Sequence, residues 1–297
     1  MPETSFNRTN DAFIKVILAK EGNKQFLIDL LNSIFENRPT PCIKGPITDV
    51  TLEDRVLPIA KFDDRQAILD IRAHTKHGII NIEIQNYKEP DIGARALFYA
   101  ATLYLSQSTK VISYRDFIPV VIINLMTENY FTYKSWHTCY ALAEPEEKHL
   151  LTDKMFLHFI ELKKCPALEE KTLNRLQKWI KYLSAKTPAG EVQTEGDEIF
   201  EQLRKIEQMF VKDREEMLRY EAAERFRLDY NSAIKGATEE GMEKGFKLGE
   251  EKGIQLGKDE EKKNIAKNLL RQNIPVDIIK TATGLSESEI EALKNIK

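Results

Sequence analysis

Two alternating segments joined by a short turn constrain the fold of this chain more than any other feature. The segments 66–74 and 79–87 flank a turn that ends at Gly78, and apolar and polar residues alternate along residues 69–74 and 80–85. A period of two residues is typical of strands with one buried face, and a glycine at a short turn is typical of a hairpin. The sequence therefore predicts a β-hairpin.

The turn also predicts the register of this hairpin. If Lys76 and His77 form a two-residue loop, Asp70 lies directly opposite Glu83. One face is then wholly apolar and would pack on a core, with Leu69, Ile71, Ala73, Ile80, Ile82 and Ile84. The other face would carry Asp70, Arg72, Asn81, Glu83 and Gln85. Any chemistry of the hairpin is expected on that polar face.

Two carboxylates facing each other on this polar face point to a metal ion. Directly opposed residues have Cβ atoms about 4.5–5.5 Å apart, so Asp70 and Glu83 would repel each other. A divalent cation relieves the repulsion, because Mg²⁺ binds hard oxygen ligands, often one or two carboxylates together with water. The alternative is a solvated hairpin face on which Arg72 neutralises the acids. The residues alone leave both interpretations open.

The segments around the hairpin predict an α/β fold with a mixed sheet flanked by helices. Helical periodicity is expected in four stretches, residues 9–37, 91–108, 168–183 and 197–235. Residues 118–125 form an apolar run typical of a buried central strand, and 154–162 is interpreted as a further strand. Thr9 or Asn10 can cap the first helix, and Gly22 is expected to interrupt it.

The hairpin segment LDIRAHTKHGIINIEIQ resembles the central hairpin of PD-(D/E)xK nucleases, above all their recombination-promoting nuclease, or transposase, branch. That branch has an Asp and then Glu-x-Gln, which here are Asp70, Glu83 and Gln85. The start NDAFIKVIL, the helix RALFYAATLYLSQ and the strand IPVVIINL are similar to the family's flanking elements. The resemblance covers about residues 9–185 and extends more loosely into the tail.

This resemblance implies a restriction-endonuclease-like core and a metal-dependent endonuclease that hydrolyses DNA phosphodiesters. Such an enzyme would promote recombination or be linked to a mobile element. Asp70 and Glu83 would hold a divalent metal, Mg²⁺ with Mn²⁺ or Ca²⁺ as alternatives, together with the backbone carbonyl of Ile84. Gln85 stands where the wider superfamily has Lys, so it could orient a water only through neutral hydrogen bonds.

Several other residues are expected to support this site or contact DNA. The resemblance places Asp11, Lys15, Arg95, Tyr99, Tyr104 and Gln107 at matching positions, and Arg72 lies on the polar face of the hairpin. Three of them have a purely structural alternative. Asp11 could favour a helix N-terminus, Arg95 could stack on Tyr99 at the surface, and Tyr104 could simply belong to the core.

Residues 231–297 are expected to form an all-helical tail behind a nuclease-like domain of residues 1–230. Glycines recur through its first part, at Gly236, Gly241, Gly245, Gly249, Gly253 and Gly257. Each glycine costs a lone helix about 1 kcal/mol, and glycines spaced mostly by four residues lie on one slowly drifting face that another helix can approach closely. We therefore interpret the segment as a self-association helix that forms a homo-oligomer, with a flexible charged linker as the alternative. The final residues predict a helical unit similar to a helix-turn-helix, which binds either DNA or a protein partner.

Composition sets the remaining expectations. The net charge is -3, which is unusual for a protein that binds DNA non-specifically and leaves a non-catalytic DNA- or protein-binding module as the alternative function. Three widely spaced cysteines suggest a reducing compartment. The first residues lack the apolar stretch of a signal peptide, and no apolar run is long enough to span a bilayer. A cytoplasmic location without a membrane partner is expected.

Overall fold

The computed structural model describes residues 6–53, 56–57, 67–68, 70–88, 90–109, 113–166, 172–185 and 196–294. The chain divides into two compact units, Met1–Leu228 and Asp229–Lys297. The sequence places the boundary between a nuclease-like domain and a tail at residues 230 and 231. That assignment of functions to the two parts remains a prediction.

The described elements run from helices through strands, one helix and further strands to a final series of helices, in the order that the sequence predicts. The helices are α1 (Asp11–Leu18), α2 (Lys24–Asn37), α3 (Ile92–Ser106), α4 (Arg175–Ser184), α5 (Glu198–Lys212), α6 (Arg214–Arg271), α7 (Val276–Thr283) and α8 (Glu287–Lys294). The strands are β1 (Thr51–Leu52), β2 (Val56–Leu57), β3 (Ala67–Ile68), β4 (Ile71–Thr75), β5 (Gly78–Gln85), β6 (Val120–Met126), β7 (His137–Ala141) and β8 (Met155–Glu161).

A mixed sheet forms the centre of the first unit. In the described chain its strands follow the order β1-β4-β5-β6-β8-β7, while β2 pairs with β3 separately. β4 and β5 pair antiparallel, β5, β6 and β8 run parallel, and β7 returns antiparallel along β8. This confirms the predicted restriction-endonuclease-like α/β core with a mixed sheet flanked by helices.

The hairpin β4–β5 has the register that its turn predicts. Arg72 pairs with Asn81, and Ile71 pairs with Ile82. Its apolar face, which includes Ala73, packs in the main core with residues of α1, α2 and α4. Leu69, also assigned to that face, lies outside the described residues.

The polar face of the hairpin is covered, which the sequence does not reveal. Ile79 of β5 packs with Ile92, Ala96 and Tyr99 of α3 in a second core cluster. Because α3 lies on this side of the sheet, Asn81 is fully buried. Charged groups on the hairpin are therefore held in a partly desolvated layer between sheet and helix.

Three elements differ from the sequence prediction. The charged helix expected over 197–235 is interrupted at Asp213, whose carboxylate accepts hydrogen bonds from the N–H groups of Glu215 and Glu216 and so starts α6 anew. β7 was not predicted, because five residues without clear alternation give little signal. The helix expected over 168–183 begins at Arg175, and part of the expected range lies outside the described residues.

The second unit is helical, as predicted. α6 continues through the glycine repeat to Arg271. Gly284, with φ of +70°, ends α7, and Ser286 exchanges hydrogen bonds with Glu289 at the start of α8. A small core unites the end of α6 with α7 and α8 through Ala266, Ile279, Leu285 and Ile290.

Within the described residues, no helix combines the length and the apolar character needed to cross a membrane.

Candidate active site

The carboxylates of Asp70 and Glu83 lie side by side across the hairpin. The backbone N–H of Asp70 donates to Oε1 of Glu83 at 3.3 Å, and the N–H of Ile84 donates to Oδ2 of Asp70 at 2.8 Å. Asp70 directly precedes β4, while Glu83 and Ile84 belong to β5. These reciprocal hydrogen bonds hold both carboxylates against the backbone of the opposite strand.

Burial makes this pair of acids electrostatically unfavourable. Glu83 is 1% exposed beneath α3. Burial raises the pKa of Asp70, and the Asp11 carboxylate raises it further. Burial also raises the pKa of Glu83, and repulsion from Asp70 adds to this effect. Two neighbouring acids that are desolvated and repel each other favour binding a proton or a cation.

Asn81 and Arg95 oppose these effects by stabilising the ionised form of Glu83. Nδ2 of Asn81 donates to Oε1 of Glu83 at 2.8 Å, and Nη2 of Arg95 lies 4.0 Å from Oε2. Both contacts lower the pKa of Glu83. Tyr99 positions the arginine, since Nε of Arg95 donates to the Tyr99 hydroxyl at 3.1 Å and the guanidinium stacks on the ring at 5.4 Å.

The donor set suits a hard divalent cation. The hydrogen bonds above engage Oδ2 of Asp70 and Oε1 of Glu83, so the second oxygen of each carboxylate can accept a ligand. The N–H and C=O of a strand residue point toward the same neighbouring strand, so the carbonyl of Ile84 lies on the side where its N–H meets Asp70. Carboxylate and carbonyl oxygens are ligands that Mg²⁺ accepts. The described residues contain no group of three His, Cys, Asp or Glu side chains placed for a metal, so a main-chain carbonyl would have to complete the set.

A cavity of about 380 Å³ opens beside the Asp70 carboxylate. Asp70, Ile84, Gln85 and Arg95 line one part of it. The remainder is lined by Asn10, Asp11, Asn86, Tyr87, Ala223, Glu224, Phe226 and Arg227. Its polar lining and its size are adequate for part of a nucleotide.

The first turns of α6 are fixed beside this cavity by a polar cluster. Oε1 of Glu224 accepts from Nδ2 of Asn7 at 2.8 Å and from Nδ2 of Asn10 at 2.9 Å. The Tyr220 hydroxyl accepts from the N–H of Asn7 at 2.7 Å, and its ring stacks on Phe6 at 4.9 Å. These contacts make the wall formed by α6 part of the first unit.

Asp11 and Lys15 lie at the border of the site. Asp11 lies in the first turn of α1, where Asn10 caps the helix, and it lines the cavity while pairing with Lys15. Lys15 itself lines a neighbouring cavity of about 300 Å³. The helix-end role of Asp11 and a role at the site are therefore compatible.

Three residues predicted to support the site contact other parts of the fold. Arg72 forms an ion pair with Glu53 at 2.8 Å, because the edge strand β1 brings that acid beside it. Tyr104 packs edge-on against Phe117, in agreement with its alternative as a core residue. The Gln107 side chain bonds the backbone of Ile118, before the start of β6, whereas Glu83 lies near the opposite end of the parallel strand β5.

The sequence interpretation missed the contribution of α6. Glu224, Phe226 and Arg227 line the cavity although more than 130 residues separate them from Gln85. No motif or spacing connects them to the hairpin, so nothing short of the tertiary fold identifies them. Asn81 gave a usable signal, since it lies on the same strand face as Glu83.

Comparison with known families identifies the family of this chain. The sequence model described as "PD-(D/E)XK nuclease family transposase" matches residues 8–237, and the model described as "Rpn/YhgA-like nuclease family, C-terminal HTH domain" matches residues 259–295. No curated protein and no solved structure matches significantly. The first match spans more than half of the chain and contains Asp70, Glu83 and Gln85, and so the chain belongs to the PD-(D/E)XK nuclease family transposases.

Proposed function

We propose that this protein is a metal-dependent DNA endonuclease that hydrolyses phosphodiester bonds at the cavity beside Asp70 and Glu83. The observation that carries the proposal is the buried Glu83 and the partly buried Asp70, held in reciprocal hydrogen bonds, with Asp70 lining a polar cavity. A purely structural pair would leave two repelling acids desolvated without benefit. Family membership supports a function related to nucleases and transposases.

The residues of the chain take distinct roles in this proposal. Asp70, Glu83 and the carbonyl of Ile84 would bind the cation, with Mg²⁺ as the first choice and Mn²⁺ or Ca²⁺ as alternatives. A bound cation of this kind acidifies water and stabilises charge on a phosphate. Gln85 orients the attacking water through neutral hydrogen bonds, since its amide can both donate and accept. Arg95 supplies positive charge near Glu83 and the scissile phosphate.

A non-catalytic DNA- or protein-binding module on the same fold is the alternative. Gln85 in place of a Lys favours it, because an amide contributes no charge to catalysis. The net charge of -3 also favours a weaker interaction with DNA.

The second unit would assemble the protein and contribute to DNA binding. Residues 259–295 match a helix-turn-helix family, which supports contact with DNA. The glycine segment of α6 exposes Met242, Phe246 and Leu256, and a Cβ added to Gly245 or Gly249 would meet nothing within 4 Å. A second copy of this helix could approach such a face closely, so we propose a homo-oligomer.

Nicking of supercoiled plasmid by the purified chain tests the enzymatic proposal. Cleavage should require Mg²⁺ or Mn²⁺ and should be lost in Asp70→Ala and Glu83→Ala. Glu128→Ala is the matched control, because Glu128 forms an exposed ion pair with Lys163 and lies outside the cavity.

Thermal unfolding provides a second readout that does not depend on turnover. Mg²⁺ or Mn²⁺ should raise the melting temperature of the native chain, and Asp70→Asn should abolish the rise. If neither metal changes the melting temperature and the plasmid stays intact, the binding-module alternative replaces the nuclease.

A further inference from the structure

The wall that α6 adds to the cavity beside Asp70 carries an arginine and an aromatic ring. Phe226 and Arg227 both line the cavity that also contains Asp70, Gln85 and Arg95. The polar cluster around Glu224 fixes this part of α6. Both side chains are therefore held at a defined position beside the site of the proposed reaction.

Arg227 is arranged to bind an anion. Its Nε and Nη2 donate to the same oxygen, Oε2 of Glu224, at 3.1 and 2.7 Å. The side chain remains 30% exposed, and this ion pair does not use the Nη1 group. An arginine presents its donors as a planar fork, so a guanidinium held on one edge can still bind a phosphate oxygen through the other.

Phe226 offers a stacking surface in a cavity that is otherwise largely polar. The residue is 65% exposed although it lines the cavity. An aromatic face binds a nucleobase irrespective of its identity, with a contribution of about 1–3 kcal/mol per base. In a duplex, base faces are covered by their neighbours, so such a ring can be used only by an unstacked base.

We propose that α6 supplies two substrate contacts to the cavity, in which Arg227 binds a backbone phosphate of single-stranded DNA and Phe226 stacks on an adjacent unstacked base. This inference rests on the proposed endonuclease function and specifies its substrate as a strand with accessible base faces. It also explains how a chain with a net charge of -3 can bind DNA, since the contact uses a local cation and a ring rather than a basic surface.

Binding of fluorescently labelled oligothymidine to the full chain tests the arginine contact. The measurement uses an Asp70→Asn background with EDTA and no added divalent metal, so that cleavage does not interfere. Arg227→Gln should weaken binding about tenfold, as expected for a lost charged hydrogen bond. It should also reduce the slope of log affinity against log salt by about 0.7, the value for one phosphate of a single strand.

Arg225→Gln is the matched control, since Arg225 lies two residues away on the same helix and its Nε reaches only the backbone carbonyl of Glu221. Its affinity and salt slope should not change. Arg227→Lys should keep the salt slope while losing affinity, because the charge remains and the planar fork does not. The melting temperature of each variant shows whether α6 has stayed docked.

Substitution of Phe226 tests the stacking contact. Phe226→Leu should weaken binding of the oligothymidine at least about fivefold, while Phe226→Tyr should restore it because the ring is retained. Affinity for a blunt duplex of the same length should be equal in all three proteins. A parallel loss on duplex and single strand would overturn the stacking assignment.

The outcomes separate this inference from the proposed function. If the native chain nicks plasmid and Arg227→Gln and Phe226→Leu bind oligothymidine as Arg225→Gln does, the substrate contacts are wrong and the nuclease stands. If the native chain neither cleaves nor binds DNA, both proposals fail. Cleavage kinetics give a further check, because Arg227→Gln should raise KM far more than it lowers kcat.

Discussion

At the scale of single residues, the histidines of β7 and β8 show how burial selects one protonation state. Nδ2 of Asn37 can only donate, and it lies 2.8 Å from Nδ1 of His137. Nε2 of His137 is 3.0 Å from Nδ1 of His158, whose Nε2 is 2.9 Å from the Thr40 hydroxyl. This chain of contacts is satisfied when each imidazole is neutral and carries its proton on Nε2.

The histidine pair predicts that the protein loses stability as the pH falls below about 6.5. Burial lowers the pKa of His137 to about 4, and burial and the neighbouring His137 lower that of His158 to about 3. The histidines of the unfolded chain have ordinary pKa values near 6.5. Between pH 4 and 6.5 the unfolded chain therefore binds more protons than the folded chain. The free energy of unfolding should therefore rise with pH in this window, by roughly 1–2 kcal/mol per imidazole between pH 5 and 7.

Urea denaturation at pH 5, 6 and 7 measures this dependence. The double variant His137→Gln/His158→Gln should flatten the pH dependence that the native chain shows. His149→Gln is the control, because His149 is exposed and pairs with Glu147 at the surface. A native pH dependence that survives in the double variant would assign the effect to other groups.

At the scale of elements, the hairpin β4–β5 positions the carboxylates, and its turn depends on one glycine. Gly78 has a φ of +143°, which side chains rarely adopt, and a Cβ there would lie 2.3 Å from the carbonyl oxygen of Pro119. The same carbonyl accepts a hydrogen bond from the N–H of Ile79 at 2.9 Å. Because Gly78 has no side chain, the backbone of Pro119 can lie against it. This contact allows β5 to begin its parallel pairing with β6.

Gly78→Ala and Gly93→Ala should have opposite effects on stability. Gly78→Ala meets both strain and a backbone clash, so we expect a loss of at least about 2 kcal/mol in the free energy of unfolding. Gly93 lies in α3 with nothing within 4 Å of a new Cβ, so alanine there should stabilise by about 0.5–1 kcal/mol. Chemical denaturation of both variants measures the difference. Equal effects would mean that the turn can relax away from Pro119.

At the scale of the whole molecule, the glycine segment of α6 raises the question of assembly. Met242 is 72% exposed and Phe246 is 74% exposed, although both are large apolar residues. A helix that contains Gly241, Gly245 and Gly249 gains little stability by itself. Contact with a further helix would bury the apolar side chains and compensate for the glycines.

Phe246→Glu should therefore lower the molar mass of the particle in solution from that of an oligomer to that of one chain. Light scattering coupled to size-exclusion chromatography measures this change. The introduced carboxylate would be buried between the two copies without water or a partner, which is unfavourable. The oligomer should therefore dissociate at micromolar concentration. Glu250→Gln, another exposed position in the same segment, is the control. A native chain that already elutes as a monomer, with no change in Phe246→Glu, would contradict the proposed self-association.

The sequence by itself determined the hairpin, its register and the family. A period of two residues decides which side chains share a face, and a two-residue loop at Lys76 and His77 gives the observed pairing of Ile71 with Ile82. Local periodicity likewise predicted most helices and strands, although β7 and the interruption at Asp213 were not predicted. The capping box at Ser286 and the stop at Gly284 were predictable because such signals act within a few residues.

Only the tertiary structure decided what surrounds the two carboxylates. Burial of Glu83 depends on α3 packing across the sheet, and the wall with Phe226 and Arg227 depends on α6 docking on Asn7 and Asn10. Likewise, the ion pair of Arg72 with Glu53 and the place of Gln107 beside Ile118 depend on neighbouring strands and loops. These contacts join residues that are distant along the chain, and periodicity contains no information about which distant surfaces meet. The sequence therefore indicated the candidate ligands of the proposed site, whereas their desolvation and the shape of the cavity are properties of the packed fold.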